Sequence, residues 1–244
     1  MSEDDSLPWY VLRAASQLAR RGLEVRRHSS TRRQAMLSKH QVDLVLDIGA
    51  ADGGYGHSLR RFGYSGHIVS FEPLSAAYAS LRETISDDPL WTAHNLALGS
   101  TPGEATINVA SNSNSSSFLP MLDAHRDAAP SVDYVAEETV AVARLDDVAA
   151  DVVGSALRPY LKIDTQGFER EVLSGGANTV ARCVGLQLEL SFVPLYDGGM
   201  LVDEAVGWAY ERGFHLVGTE QGYAAPSGEV LQMDGVFVRE RRGD

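Results

Sequence analysis

Apolar positions along this chain follow two rhythms. Residues 42–48 form a nearly continuous apolar run that ends in a glycine-rich turn, as expected for a strand buried on both faces of a parallel sheet. Helical spacing follows to about residue 62, then a strand over 67–71, a helix over 74–85 and a strand over 91–97. Residues 104–110 and 139–143 read as short strands around a polar loop. The alternation resumes with strand 160–164, helix 168–173, strand 184–190, helix 202–212 and strands 215–218 and 235–239. Strand and helix in alternation predict an α/β fold, a parallel, doubly wound sheet with right-handed crossovers and helices on both faces. Ahead of it, Trp9, Leu12, Ala15, Leu18 and Leu23 keep close to helical spacing, so residues 7–27 read as one amphipathic helix. The expected organisation is a helical extension over residues 1–40 and one domain over 41–244.

Charge narrows the partners. A formal net charge of −12 disfavours a nucleic-acid groove. Arg13, Arg20, Arg21, Arg26, Arg27, Arg32, Arg33 and Lys39 all precede the first strand, and they read as a solvated helix face before an anionic-partner site. The single cysteine, Cys183, excludes an internal disulfide framework and, within the apolar run ARCVGLQLEL, reads as a small core residue. No run reaches the roughly 18 apolar residues of a membrane span, and the start MSEDDSLPWY is acidic and unlike a signal peptide. A soluble, cytoplasmic protein is expected.

Ligands of a doubly wound sheet sit beyond the carboxyl ends of its strands, which directs attention to the turn in VLDIGAADGGYG, residues 45–56. A dinucleotide fingerprint needs a glycine where this chain has Ala51, and Asp47 and Asp52 would repel two phosphates. S-adenosylmethionine has no phosphate and carries a sulfonium and an ammonium, so Asp47, Gly49, Ala51, Asp52 and Gly53 suit it better than NAD. Glu72, ending the second strand and followed by Pro73, stands where an acid accepts hydrogen bonds from ribose hydroxyls. Asn95 and Asp52, or the backbone around Leu96 and Ala97, are the candidates for the adenine side.

With the further segments FEP, NLALGSTPGEATINV, SNSNSSSFLP, ARLDDV, YLKIDTQGFEREVLSGG, LELSFVPLYDGG and DGVFVRE, the chain resembles the FkbM family of S-adenosylmethionine-dependent O-methyltransferases from about Asp43 to Arg239. The resemblance implies a Rossmann-like class I methyltransferase with a seven-stranded, mostly parallel sheet. It also implies an acceptor hydroxyl on a sugar, oligosaccharide, polysaccharide precursor, glycolipid or polyketide-type product.

An alcohol must lose its proton as the methyl group arrives, so a base or a metal is sought at the later strand ends. Asp164, at a strand end before Thr-Gln-Gly, is the first candidate base, with capping of the next helix as its bland role. Glu189 is either a second carboxylate, able with Asp164 to hold a divalent cation such as Mg²⁺, or the partner of Lys162 in a buried ion pair, the reading favoured on the cost of an unpaired charge. Whether a metal is needed stays open. Glu169 and Glu171 fit the start of a helix. His57 and His125 are further candidate bases, each also readable as a surface residue, and the loop over 111–122 is expected to fold over the acceptor. A non-catalytic S-adenosylmethionine or nucleotide binding protein, such as a regulatory subunit, and an NAD(P) oxidoreductase remain as rivals. Trp9 and Tyr10 make a homodimer face conceivable.

Overall fold

The computed structural model describes residues 9–23, 28–154, 156, 158–220 and 222–239. Its strands in chain order are β1 (Leu44–Ile48), β2 (His67–Phe71), β3 (Trp91–His94), β4 (Ala97–Leu98), β5 (Gly103–Ala110), β6 (Tyr134–Ala143), β7 (Pro159–Ile163), β8 (Gly185–Ser191), β9 (Phe214–Glu220) and β10 (Gln232–Arg239). The helices are α1 (Trp9–Ala19), α2 (Ser29–Lys39), α3 (Gly54–Arg61), α4 (Ser75–Thr84), α5 (Asp123–Ala128), α6 (Leu145–Val153), α7 (Glu169–Gly175), α8 (Ala177–Arg182) and α9 (Val202–Glu211).

All five residues of β1 are buried, because successive side chains leave opposite faces of a sheet that is covered on both. Leu44, Leu46 and Ile48 join the core beneath α6, α7, α8 and α9, while Val45 joins the core beneath α2, α3 and α4. Seven strands form one sheet in the order β3-β2-β1-β7-β8-β10-β9. Pairing is parallel from β3 to β8, and β10 runs antiparallel to both β8 and β9.

A second sheet, β4-β6-β5, departs from the expected single strand over 91–97. The chain leaves the main sheet after His94 because Asn95 Nδ2 donates back to the carbonyls of Glu72 and Pro73, at 2.9 and 2.8 Å. Ala97 and Leu98 then pair with β6.

The single helix expected over 7–27 is also corrected. Helix α1 ends at Ala19, where Gly22 at a φ of 75° and the bond from Leu23 N–H to the Leu18 carbonyl close it in a left-handed cap. Residues 7–8 and 24–27, with Arg26 and Arg27, lie outside the described residues. A separate helix, α2, follows. Ser30, Arg33 and Leu37 share its buried face, and Ser30 Oγ meets Ser58 Oγ of α3 at 2.9 Å. The other described basic residues before β1 are exposed, as expected of a solvated face.

Candidate active site

The connection from β1 to α3 turns sharply and places three residues at positive φ: Gly49 at 74°, Ala51 at 48° and Gly53 at 91°. The N–H groups of Gly49 and Ala50 both donate to the Phe71 carbonyl, at 3.0 and 3.1 Å, which locks the turn against β2. A Cβ on Gly49 would run into the Asp164 carbonyl oxygen, so glycine serves both the backbone angle and the close approach of the β7 end. Ala51 accepts the strain of a left-handed angle, about 1 kcal/mol for a non-glycine residue. Its N–H is held by Glu72 Oε2 at 2.8 Å, and Glu72 Oε1 accepts from Leu74 N–H at 2.9 Å. Burial pushes the Glu72 carboxyl above its ordinary pKa, against these two bonds. Each of its oxygens keeps a lone pair for a ligand.

Above the turn lies a cavity of about 340 Å³. Over β1 and β2 it is lined by Gly49, Ala51, Asp52, Glu72, Pro73 and the segment Leu96, Ala97 and Leu98. Over β7, β8 and β10 its walls are Lys162, Asp164, Gln166, Gln187 and Asp234, with Arg33 and Tyr55 closing it from α2 and α3. Asn114, Ser116 and Phe118 complete it from the serine-rich loop.

Beneath the cavity a hydrogen-bonded chain crosses four strands. Trp91 Nε1 donates to Ser70 Oγ at 3.0 Å, and Ser70 Oγ donates to Asp47 Oδ2 at 3.2 Å. Lys162 Nζ sits 3.0 Å from Asp47 Oδ1 and 3.7 Å from Asp164 Oδ2, and it donates to the Gly49 carbonyl at 2.8 Å. Burial works against the Lys162 charge, yet Asp47 and Asp164 together lift its pKa above the ordinary value. The expected pair of Lys162 with Glu189 is therefore replaced by Lys162 with Asp47. The two lie directly opposite on neighbouring strands, whereas Lys162 stands opposite Gln187 on β8, two residues before Glu189.

The turn after β7 is organised by Gln166, itself at a φ of 54°. Its Nε2 lies 2.8 Å from Asp164 Oδ1 and 3.1 and 3.0 Å from the two oxygens of Glu189. Its Oε1 accepts from Tyr196 O–H at 2.8 Å, and its backbone carbonyl accepts from Ser117 Oγ at 2.6 Å. An amide thus occupies the place between Asp164 and Glu189 in which a cation was considered. Among the described residues no three His, Cys, Asp or Glu side chains form a group able to hold a metal. Burial, with Asp164, Glu169 and Asp234 nearby, pushes Glu189 well above the ordinary carboxylate range. Asp234, opposite Glu189 on β10, is pushed up to about 6 by burial and by the Asp164 charge. Capping falls to Glu169, whose Oε1 accepts from the N–H groups of Thr165 and Gly167, at 2.9 and 3.2 Å, and leaves Asp164 facing the cavity.

Gly49, Ala51, Asp52, Glu72, Pro73, Leu96, Ala97, Lys162 and Asp164 thus meet around one cavity. Others of the expected site residues do not reach it. Asp47 is fully buried under Lys162, Gly53 packs against Leu81 and Trp91, and Asn95 is turned back onto β2. Glu189 is gripped by Gln166. His125 is buried against Tyr196 and Tyr223, behind the Tyr196 ring, and His57 is exposed on α3. Sequence reasoning missed Tyr55, Gln166, Gln187, Tyr196 and Asp234, although all stand inside or beside the segments quoted for the family. Gln187 carried a usable signal, a polar residue two positions before Glu189 in an apolar strand. Arg33 carried none. Its guanidinium is bound to Glu220 at 2.6 Å and stacked 4.5 Å over Tyr55, and it is buried. Cys183 is buried as expected, its thiol pushed up to about 12 by burial.

A doubly wound sheet of this strand order, with its cavity over the carboxyl ends of β1 and β7, defines a Rossmann-like methyltransferase fold. The family model for the methyltransferase FkbM domain matches residues 47–216, well over half of the chain, and the chain belongs to that family. A search of curated proteins gives no match. Among solved structures, methyltransferase FkbM from Methylobacillus flagellatus KT aligns at 12% identity with a TM-score of 0.48, over 80% of this chain and 43% of that one. The chain thus spans less than half of that enzyme's length. Aeropyrum pernix fibrillarin, with natively bound S-adenosyl-L-methionine, aligns at 10% identity and a TM-score of 0.46, over 80% and 66% of the two chains. Precorrin-6y C5,15-methyltransferase from Geobacter metallireducens GS-15 aligns at 10% identity and 0.44, over 84% and 86%. No helix among the described residues is long and apolar enough to cross a membrane.

Proposed function

We propose that the protein is an S-adenosylmethionine-dependent O-methyltransferase acting on a hydroxyl of a sugar, polysaccharide precursor or glycolipid. The observation that carries this reading is the division of one cavity into two halves of different chemistry. The half over β1 and β2 combines apolar walls from Ile48, Phe71 and Leu98 with the acids Asp52 and Glu72. A diphosphate there would face two carboxylates, and the nearest lysine, Lys162, is committed to Asp47. These residues fit a ligand with an adenosine, an ammonium and no phosphate. Glu72 would hold the ribose hydroxyls, Leu96, Ala97 and Leu98 the base, and the Gly49 to Asp52 turn the amino acid end. S-adenosylmethionine supplies, when bound, a methyl group on a positively charged sulfur.

The half over β7, β8 and β10 suits a polyhydroxylated acceptor. Gln187, Tyr55, Asp164 and Asp234 offer paired donors and acceptors, and the buried Nε of Arg33 has no hydrogen-bond partner. The acceptor proton leaves to the Asp164 and Asp234 pair. Asp234, with its pKa near 6, lies close to the range in which a base is both ionised and able to take a proton. Alignment of the acceptor by these groups contributes a large part of the rate, up to roughly 7–11 kcal/mol in oriented systems.

The test is a screen with methyl-labelled S-adenosylmethionine against sugars, polysaccharide precursors and glycolipids, run with and without EDTA. Label recovered as an alkali-stable methyl ether on a hydroxyl supports the reading. Tight binding of S-adenosylhomocysteine without transfer to any class of acceptor would instead favour a binding protein.

A further inference from the structure

At the opposite edge of the sheet, under the amino ends of β7, β8 and β9, a groove of about 910 Å³ gathers Arg158, Arg182, Arg212 and Arg239 together with His215. Each guanidinium comes from a different place in the chain: the turn before β7, the end of α8, the cap of α9 and the last residue of β10. The one acid among the described lining residues is Glu211, 3.5 Å from Arg212. In a chain of net charge −12 such a concentration of positive charge is not the background composition.

Capping of helix ends accounts for part of it. Arg212 donates to the Trp208 carbonyl at 3.1 Å, Arg239 to the Ala181 carbonyl at 2.7 Å, and Arg158 to the carbonyl of His40. Arg182 approaches the carbonyls of Gly154 and Ala156 only at 3.4 Å each. Every one of these contacts uses a single nitrogen of a guanidinium that carries five N–H donors. The Nε of Arg239 is buried without a hydrogen-bond partner. The four guanidinium groups line one groove, and an anion seated in it would be attracted by each of them. Tyr210, half exposed, packs edge-on against His215 at 5.4 Å and gives the groove an aromatic rim.

We infer that this groove binds a small molecule bearing two or more linked phosphates. A single phosphate engages one or two guanidinium forks, whereas linked phosphates present enough oxygens to engage arginines from several elements at once. Reactions in a doubly wound sheet take place at the carboxyl ends of the strands, so a ligand at the amino ends acts away from the methyl-transfer cavity, as an effector or an anchor.

Isothermal titration of the full chain at low ionic strength, with pyrophosphate, ADP and AMP in separate arms, tests the site. Pyrophosphate and ADP should each bind saturably at one site, AMP about tenfold or more weakly, and all more weakly as salt is added. The double variant R182A/R212A removes two exposed side chains, so its fold, checked by circular dichroism and by S-adenosylhomocysteine binding, should persist while pyrophosphate binding weakens at least about tenfold. Glu211→Gln should tighten it. Pyrophosphate binding that is absent, that R182A/R212A leaves unchanged, or that saturating S-adenosylhomocysteine abolishes by competition would overturn the assignment. ADP binding without pyrophosphate binding would overturn it as well, by showing that the nucleoside and not the phosphates is read.

Discussion

Asp234 and Lys162 show how burial assigns different work to two charges that line one cavity. The Asp234 carboxyl is raised from 3.8 to about 6, so the folded chain holds this proton more tightly than the unfolded chain does. Its contribution to stability is therefore complete below about pH 4 and is lost as pH rises through 6. Asp234→Asn should be more stable than the parent at pH 8, by about 2 kcal/mol, and the gap should shrink toward pH 4.5 in urea titrations. In methyl-transfer assays the parent should lose kcat/KM on the acid side with a midpoint near 6, and Asp234→Asn should lack that limb and turn over about a hundredfold more slowly or worse. A limb that survives the substitution would remove Asp234 as the base. Lys162→Met, by contrast, strands the fully buried Asp47 and should cost about 3–5 kcal/mol in urea titrations, a loss that Asp47→Asn in the same chain partly restores. Unchanged stability would show that Lys162 is held for chemistry and not for the fold.

At the scale of elements, α2 and the serine-rich loop are the parts that complete the cavity. Helix α2 reaches it through Arg33, whose partner Glu220, at the end of β9, is itself mostly buried. Arg33→Ala leaves that carboxylate without its cation and should destabilise the chain by about 3 kcal/mol, with recovery in the Arg33→Ala, Glu220→Gln double variant. The loop is an ordered wall. Ser115, Ser116 and Ser117 are buried, Ser117 exchanges backbone bonds with Asn108, and its hydroxyl holds the turn at Gln166. Deleting residues 112–117 should raise the acceptor KM far more than that for S-adenosylmethionine. Equal effects on the two constants would place the loop elsewhere in the mechanism.

Across the whole molecule the proposed function divides the labour between the two halves of the sheet, with β1, β2 and the glycine turn assigned to the cofactor and β7, β8 and β10 to the acceptor. That division yields a simple discrimination between cofactors. S-adenosylhomocysteine at about 100 times its Kd should stabilise the chain by about 2.7 kcal/mol in thermal or urea unfolding, while NADH at the same concentration should give no shift. Stabilisation by NADH alone would reverse the cofactor reading.

Much of this was legible in the chain itself. Burial on both faces writes a parallel strand as an unbroken apolar run, so β1, β2, β7 and β8 could be read within a residue or two, and the glycine turn with Glu72, whose constraints are local backbone ones, could be placed at the cavity proposed for the cofactor. The helices α2, α5, α6 and α8 were not read, being short or polar on most of their surface. Charge pairing was the other gap. Whether Lys162 meets Asp47 or Glu189, whether Arg33 is solvated or buried, and whether Asp234 stands beside Asp164 all depend on strand order and register. The sequence alone determined which backbone segments could turn, pair and bury. Only the tertiary structure decided which side chains meet, because electrostatic partners more than a hundred residues apart become neighbours through sheet topology, and no local pattern encodes that distance.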